Sequence, residues 1–252
     1  MFGLEPHILA GLVGVTLFAS FVKGAVGFAM PMIMISGLAS LLPAHDALAA
    51  LILPTLATNL IQAFRDGPQA ALAVLREWWR LIVSVCLGIA VSSQMVLAIP
   101  QNLLLGALGI PIFAFALGQL LGWQPRFHAD NRAKAEVLAG LIGGVYGGLS
   151  GVWGPPTIAL LLSLDVNKRE SVRVQGMVFL IGAAVLFFGH LRSGVLNAQT
   201  LPMTALLVLP ALIGLWAGFR MHDRLDPSRF RRWTLLVLTI TGLNLVRRAL
   251  ML

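Results

Sequence analysis

Cysteine occurs once in this 252-residue chain, at Cys86. A disulfide framework and a cysteine-based metal site are thereby excluded, and Cys86, set inside an apolar stretch, reads as ordinary helix packing. Charge is also scarce: 11% of residues are Asp, Glu, Lys or Arg, against roughly 25% in soluble domains. A soluble core of this size would still need a polar shell. Hydrophobic residues make up 58% of the chain and mean hydropathy is +0.88. Stretches such as RLIVSVCLGIAVSSQMVLAI (80–99) reach the ~20 residues that a bilayer-spanning helix requires. These features specify an integral membrane protein.

Acids are the scarcest charges. Glu5, Asp46, Asp66, Glu77, Asp130, Glu136, Asp165, Glu170, Asp223 and Asp226 all fall at the ends of apolar runs or in the links between them. No buried proton-relay acid is therefore expected, and the balance favours an anionic cargo over a cationic one. The formal charge of +8 is no nucleic-acid signature, because the basic residues sit in short links between apolar runs. They report topology instead. No basic segment precedes the first run and no small-residue cleavage site follows it, so the first helix is expected to be retained rather than removed as a signal peptide.

Apolar runs fall at 7–41, 47–64, 80–98, 102–121, 135–163, 172–190, 201–219 and 231–250. Six have the length of ordinary spans. The first and fifth are longer, and glycine and proline interrupt each near its middle. Superposed, GAVGFAMPMI (24–33) and GLSGVWGPPT (148–157) share the pattern G-x-x-G-apolar-x-x-P at a constant offset of 124 residues. A long block followed by three single spans is repeated as well, which is the signature of internal duplication.

Basic residues mark the links at 64–80 (Arg65, Arg76, Arg80), 122–134 (Arg126, Arg132, Lys134), 164–173 (Lys168, Arg169, Arg173) and 220–232 (Arg220, Arg224, Arg229, Arg231, Arg232) as cytoplasmic. The links at 42–46 and 98–102 hold none, and 191–200 holds only Arg192. Arg247 and Arg248, near the C-terminus, run against this scheme. Each long block must then leave and return on one side of the membrane. The expected fold is an all-α polytopic membrane protein of about eight hydrophobic segments in two inverted repeats, each a broken or re-entrant hairpin followed by three transmembrane helices. The first repeat covers 1–122 (hairpin 7–41; helices 47–64, 80–98, 102–121). A cytoplasmic linker at 123–134 follows, and the second repeat covers 135–252 (hairpin 135–163; helices 172–190, 201–219, 231–250). Both termini are expected to be periplasmic.

Non-helical backbone persists at membrane depth only where it is buried in protein or lines a cavity. Pro31 and Pro155–Pro156 suit the first turn of a second half-helix, whose free N–H groups make an anion site. The structural alternative is that Gly24, Gly27, Gly148 and Gly151 only let helices approach closely. Lys23 precedes Gly24 and is a basic residue inside an apolar block away from its ends. A charge there costs roughly 2.5–3.5 kcal/mol or more and should face a polar cavity or partner, unless the side chain snorkels to an interface. The equivalent position is Gly147. Thr55, Thr58, Asn59 and Gln62 follow i, i+3, i+4, i+7 and share one helix face; they line a path or tie helices together. Ser92, Ser93, Gln94, Gln119 and Gln175 are further polar residues within spans. Asp46 and Glu170 complement helix N-termini.

The paired KGAVGFAMP and GGLSGVWGPP breaks, two halves of one hairpin plus three helices, and a length near 250 residues resemble the sulfite exporter TauE/SafE family of bacterial membrane proteins, also called the toluene sulfonate uptake permease group. The resemblance spans nearly the whole chain. It implies a secondary transporter of sulfite or organosulfonate anions in the bacterial inner membrane, working by alternating access, with no cofactor, no metal and no enzymatic activity. Its matching positions are Gly24, Gly27 and Pro31 with Gly148, Gly151 and Pro155. The candidate substrate contacts are these six with Lys23, Asn59, Gln62, Ser150 and Gln175. Partners are the anion and the lipid bilayer, with a homodimer left open. A passive anion channel on the same scaffold is an alternative. A remoter one is a rhomboid-like intramembrane serine protease, since GLSG (148–151) fits a G-x-S-G turn and His190 lies downstream as a candidate base. Catalysis would need Ser150 within about 3 Å of that imidazole.

Overall fold

The structure, a computed structural model, describes residues 5–123, 131–221 and 227–251. Much of the expected linker, including Arg126, and part of the last basic link, including Arg224, lie outside them. The described residues form helices and turns and no strand. In chain order the helices are α1 (Pro6–Val26), α2 (Met30–Leu38), α3 (Ala44–Ala63), α4 (Pro68–Glu77), α5 (Trp79–Ser92), a 3-10 turn (Val96–Ala98), α6 (Gln101–Leu120), α7 (Arg132–Ser150), α8 (Gly154–Ser163), α9 (Lys168–Ser193), α10 (Leu201–Leu206), α11 (Val208–Met221) and α12 (Pro227–Met251). Six stretches are long and apolar enough to cross a bilayer: Pro6–Val26, Ala44–Ala63, Gln101–Leu120, Arg169–Ser193, Leu201–Met221 and Arg232–Met251. The chain is a multi-pass membrane protein.

Large apolar side chains such as Leu87, Val91, Leu103, Ile110, Trp216 and Ile240 point outward, as they must where the surrounding solvent is hydrocarbon. Lipid gives little hydrophobic drive between helices, so close packing of small residues holds the bundle. α1 lies along α11, α5 along α7, α6 along α12, and α3 crosses α9 at the centre. A Cβ on Gly24 would stand 2.4 Å from the Leu215 carbonyl oxygen and 2.9 Å from the Gly218 Cα. α1 and α11 therefore meet backbone to backbone.

The first long block is α1 and α2 joined at 27–29, and the fifth is α7 and α8 joined at 151–153. Between α3 and α5, where the sequence suggests a plain link, lies α4. Pro68 opens it, and it buries Ala71 and Val74 against α9 and α5. The third block is shorter than its apolar run, because α5 ends at Ser92 and the chain turns before Val96–Ala98.

α3 carries Pro54 in its interior. Proline has no N–H to give the Ala50 carbonyl, and in a membrane that carbonyl needs another donor. The Thr204 hydroxyl of α10 supplies it at 3.0 Å and also accepts the Leu53 N–H at 3.2 Å.

Candidate functional site

Both breaks end a helix in the left-handed conformation that glycine adopts at little cost. Gly27 (φ 88°) donates its N–H to the Lys23 carbonyl at 2.7 Å, and Gly151 (φ 72°) donates to the Gly147 carbonyl at 2.7 Å. Beyond the glycine the two differ. In the first, Ala29 is also left-handed (φ 76°), a strain of order 1–3 kcal/mol for a residue with a Cβ. In the second, Trp153 sits at an ordinary φ of −121°. Pro31 and Pro155 then occupy the second position of α2 and α8, where the missing N–H costs nothing.

Lys23, on the last turn of α1, is 2% exposed, so it does not snorkel. Its ammonium donates to Thr58 Oγ1 at 3.0 Å and to Asn59 Oδ1. Both acceptors are neutral. An ammonium carries three donors, and the third has no acceptor among the described residues. Asn59 Nδ2 donates onward to the Phe179 carbonyl of α9 at 2.9 Å, and Gln62 Nε2 donates to the Gly27 carbonyl at 3.1 Å. The polar face of α3 thus ties the first break to the α3–α9 crossing. Thr55 Oγ1, Gln62 Oε1 and Trp153 Nε1 are buried without a hydrogen-bond partner. A void of about 20 Å³ lies between the breaks, lined by Phe28, Ala29, Asn59, Gly151, Trp153 and Phe179 among others. It has room for about one water.

A larger cavity of about 380 Å³ opens on the arginine-rich end and reaches up to Gly24, Gly27 and Gln62. Its existence follows from unequal helices. Ala63, the last residue of α3, is level with Gly176, whose added Cβ would lie 3.1 Å from the Ala63 Cα. About two turns of α9 therefore project beyond the end of α3. Arg65, Asp66, Arg169 and Arg173 line the space. Arg173 Nε donates to Asp66 Oδ2, and Arg169 Nε lies 3.7 Å from the same oxygen. The bond from Arg173 holds the Asp66 carboxyl below its ordinary range. Arg65 stacks over the Phe219 ring at 4.7 Å. The opposite end of α9 packs tightly on the end of α5: Gln94 Nε2 donates to the Gly189 carbonyl at 3.1 Å, and a Cβ on Gly189 would stand 2.5 Å from Ser93 Oγ.

Of the sequence candidates, Lys23, Gly27, Asn59 and Gln62 come together, with Pro31, Gly151 and Asn59 bordering the small void. Gly24 touches the cavity, but its lack of a side chain serves the contact with α11. Gly148 does the same against α5, where a Cβ would lie 2.8 Å from the Ile89 carbonyl oxygen. Gln175 donates to Ser171 Oγ on its own helix at 3.1 Å, and Pro155 faces the side groove beside α6.

Ser150 Oγ donates to the Tyr146 carbonyl at 2.7 Å and accepts the Val152 N–H at 3.0 Å, a capping hydroxyl; His190 Nδ1 lies 3.2 Å from Ser193 Oγ. None of these bonds joins Ser150 to His190. One acid at the end of an apolar run is nonetheless buried. Glu136 is 1% exposed, because it stands on α7 beneath the α4–α5 corner. Arg132 Nε donates to it at 2.7 Å while Arg132 also bonds Glu77 at 2.9 Å and lies over the Trp78 ring.

Arg65, Arg169 and Arg173 entered the sequence reading only as topology marks, and Asp66 only as an acid in a link. A signal was present: the stripe at 55, 58/59 and 62 continues at 65/66 with the same spacing, and Arg169 and Arg173 are i, i+4 on one face of α9.

No curated protein and no solved structure is significantly similar to the chain. The sequence model of one family, sulfite exporter TauE/SafE, matches residues 12–245. That span takes in both breaks, the polar face of α3 and the arginine-lined cavity, and the chain belongs to the sulfite exporter TauE/SafE family of transporters.

Proposed function

We propose that the protein is a secondary transporter of a small anion, sulfite or an organosulfonate, in the bacterial inner membrane, with both termini periplasmic. The observation that carries this reading is Lys23: a buried lysine held by two neutral oxygens, with a donor to spare, next in the chain to Gly24, which borders an arginine-lined cavity. A cation placed at membrane depth without a carboxylate is a site completed by an anionic ligand. Asn59 and Gln62 lie beside it, and the left-handed turns aim the N-termini of α2 and α8 at the same region.

The one-sided cavity favours alternating access over a channel. So does the exchange of partners between elements 124 residues apart: α1 pairs with α11 as α7 pairs with α5, while α3 pairs with α9 and α6 with α12. This exchange supports a reading as two inverted repeats, 1–122 and 135–252, an arrangement that many carriers use.

The test is uptake of radiolabelled sulfite into proteoliposomes. Lys23→Met should lower it about a hundredfold, the weight of a lost charge-assisted hydrogen bond, with the protein still monodisperse. Transport equal to wild type would remove Lys23 from the site. Trans-side substrate should accelerate uptake if one site alternates between faces, and leave it unchanged in a channel.

A further inference from the structure

Among the described residues the cavity's charges do not balance. Three guanidiniums (Arg65, Arg169, Arg173) face one carboxylate, Asp66, and a single oxygen of that carboxylate serves both Arg169 and Arg173. Each guanidinium has five N–H donors in a fixed fork suited to oxyanions. Arg65 is steadied by stacking on the Phe219 ring. These three guanidiniums line a space of about 380 Å³, several times the size of a sulfur oxyanion.

Resting on the anion-transport reading, we propose that this vestibule is a distinct recruitment site for dianionic oxyanions, in which Asp66 is a resident counter-anion that the ligand shares or displaces. Two positive charges remain after Asp66 is counted, and a dianion cancels them. A monoanion leaves one. The cargo class is thereby narrowed to sulfite or a carboxylated sulfonate in its dianionic form, ahead of simple alkyl sulfonates. The same arithmetic bears on closure. Burying an unpaired guanidinium is costly, so this end can seal over a dianion and resists sealing when empty.

The test is calorimetric titration of the purified protein, in micelles free of anionic lipid and at constant ionic strength, with sodium sulfate and with sodium methanesulfonate. Wild type should bind sulfate at least about tenfold more tightly. Asp66→Asn should tighten sulfate binding about tenfold by removing the competitor, and Arg169→Gln, at an exposed position that folding tolerates, should erase most of the preference for sulfate. Equal binding of the two anions by wild type, or an Asp66→Asn protein that binds sulfate no more tightly, would overturn the proposal. A phospholipid headgroup as the true occupant would show as loss of sulfate binding when anionic lipid is restored. For closure, an Ala70→Cys variant in a Cys86→Ser background should react more slowly with a thiol reagent when sulfate is present, and an unchanged rate would refute that step. These readouts need no transport, so they fail or succeed independently of Lys23.

Discussion

The two breaks share their steric chemistry and differ in everything polar. Gly24, Gly27 and Pro31 do at the first what Gly148, Gly151 and Pro155 do at the second: a backbone contact with a neighbouring helix, a left-handed cap, a half-helix start. Large and small residues are then interchanged. The first break has Lys23 and Ala29, and the second has Gly147 and Trp153, with the indole pressed against Gly147 and Gly182. The mouths differ likewise. Where α3 has ended and the chain turns through Arg65 and Asp66, α9 continues through Gly189 and His190, the latter fully buried. Arg169 and Arg173 are answered by His45 and Ala49. One mouth holds permanent charges that resist dehydration, the other groups that can be neutral and sealed. What the halves share builds the scaffold, and what they do not share sets which end is open and which charge is sought.

The sharpest way to break this comparison is to attack the shared steric element on each side. Gly24→Val puts a Cβ within 2.4 Å of one backbone atom, and Gly148→Val within 2.8 Å of two. Backbone cannot yield, so both variants should lose about 4 kcal/mol or more and fail to give a monodisperse peak after solubilisation. Tolerance on one side alone would show that only the other contact holds the bundle. The caps give a finer measure. Gly27→Ala and Gly151→Ala both incur about 1–2 kcal/mol for a left-handed Cβ. The added methyl meets only Val172 Cγ2 at 3.8 Å in the first, but Leu51 Cδ1 at 2.6 Å in the second. Gly151→Ala should be the worse by about 1 kcal/mol, read as a larger fall in thermal midpoint. Equal falls would mean that Leu51 moves aside freely.

The breaks were legible because glycine and proline act locally: a left-handed cap and a missing donor leave the same mark in any fold. The stripe at Thr55, Thr58, Asn59 and Gln62 was legible from its period, and Lys23 from its cost in a membrane. α4 was hidden because its apolar run, residues 70–75, is too short to read as a span and is bounded by link charges, and only Pro68 at its start announced it. The Arg132–Glu136 pair is a local i, i+4 one, but the Trp78 ring that lies under Arg132 arrives from elsewhere in the chain, which no local pattern encodes. The vestibule was missed for a different reason. Arginines in a link have a sufficient explanation in topology, and only the early end of α3, a tertiary fact, turns them into the wall of a cavity.

The smallest effect separates the mouths by pH. The hydrogen bond from Arg173 holds the Asp66 carboxyl below its ordinary range, so the folded state binds this proton less readily than the unfolded chain. A carboxyl depressed on folding contributes its stability in full above the unfolded value, near 3.9, and loses it as pH falls through the folded one. Stability from this pair should therefore be flat from neutral pH down to about 5 and decline below about 4. Asp66 keeps 30% of its side-chain surface in contact with solvent, and such pairs contribute only a few tenths of a kcal/mol. The wild-type midpoint should accordingly fall about 1 °C further than that of Asp66→Asn between pH 5 and pH 3. If the two curves stay parallel, the ion pair adds nothing to the fold, and the positive character of the open mouth is free for the ligand alone.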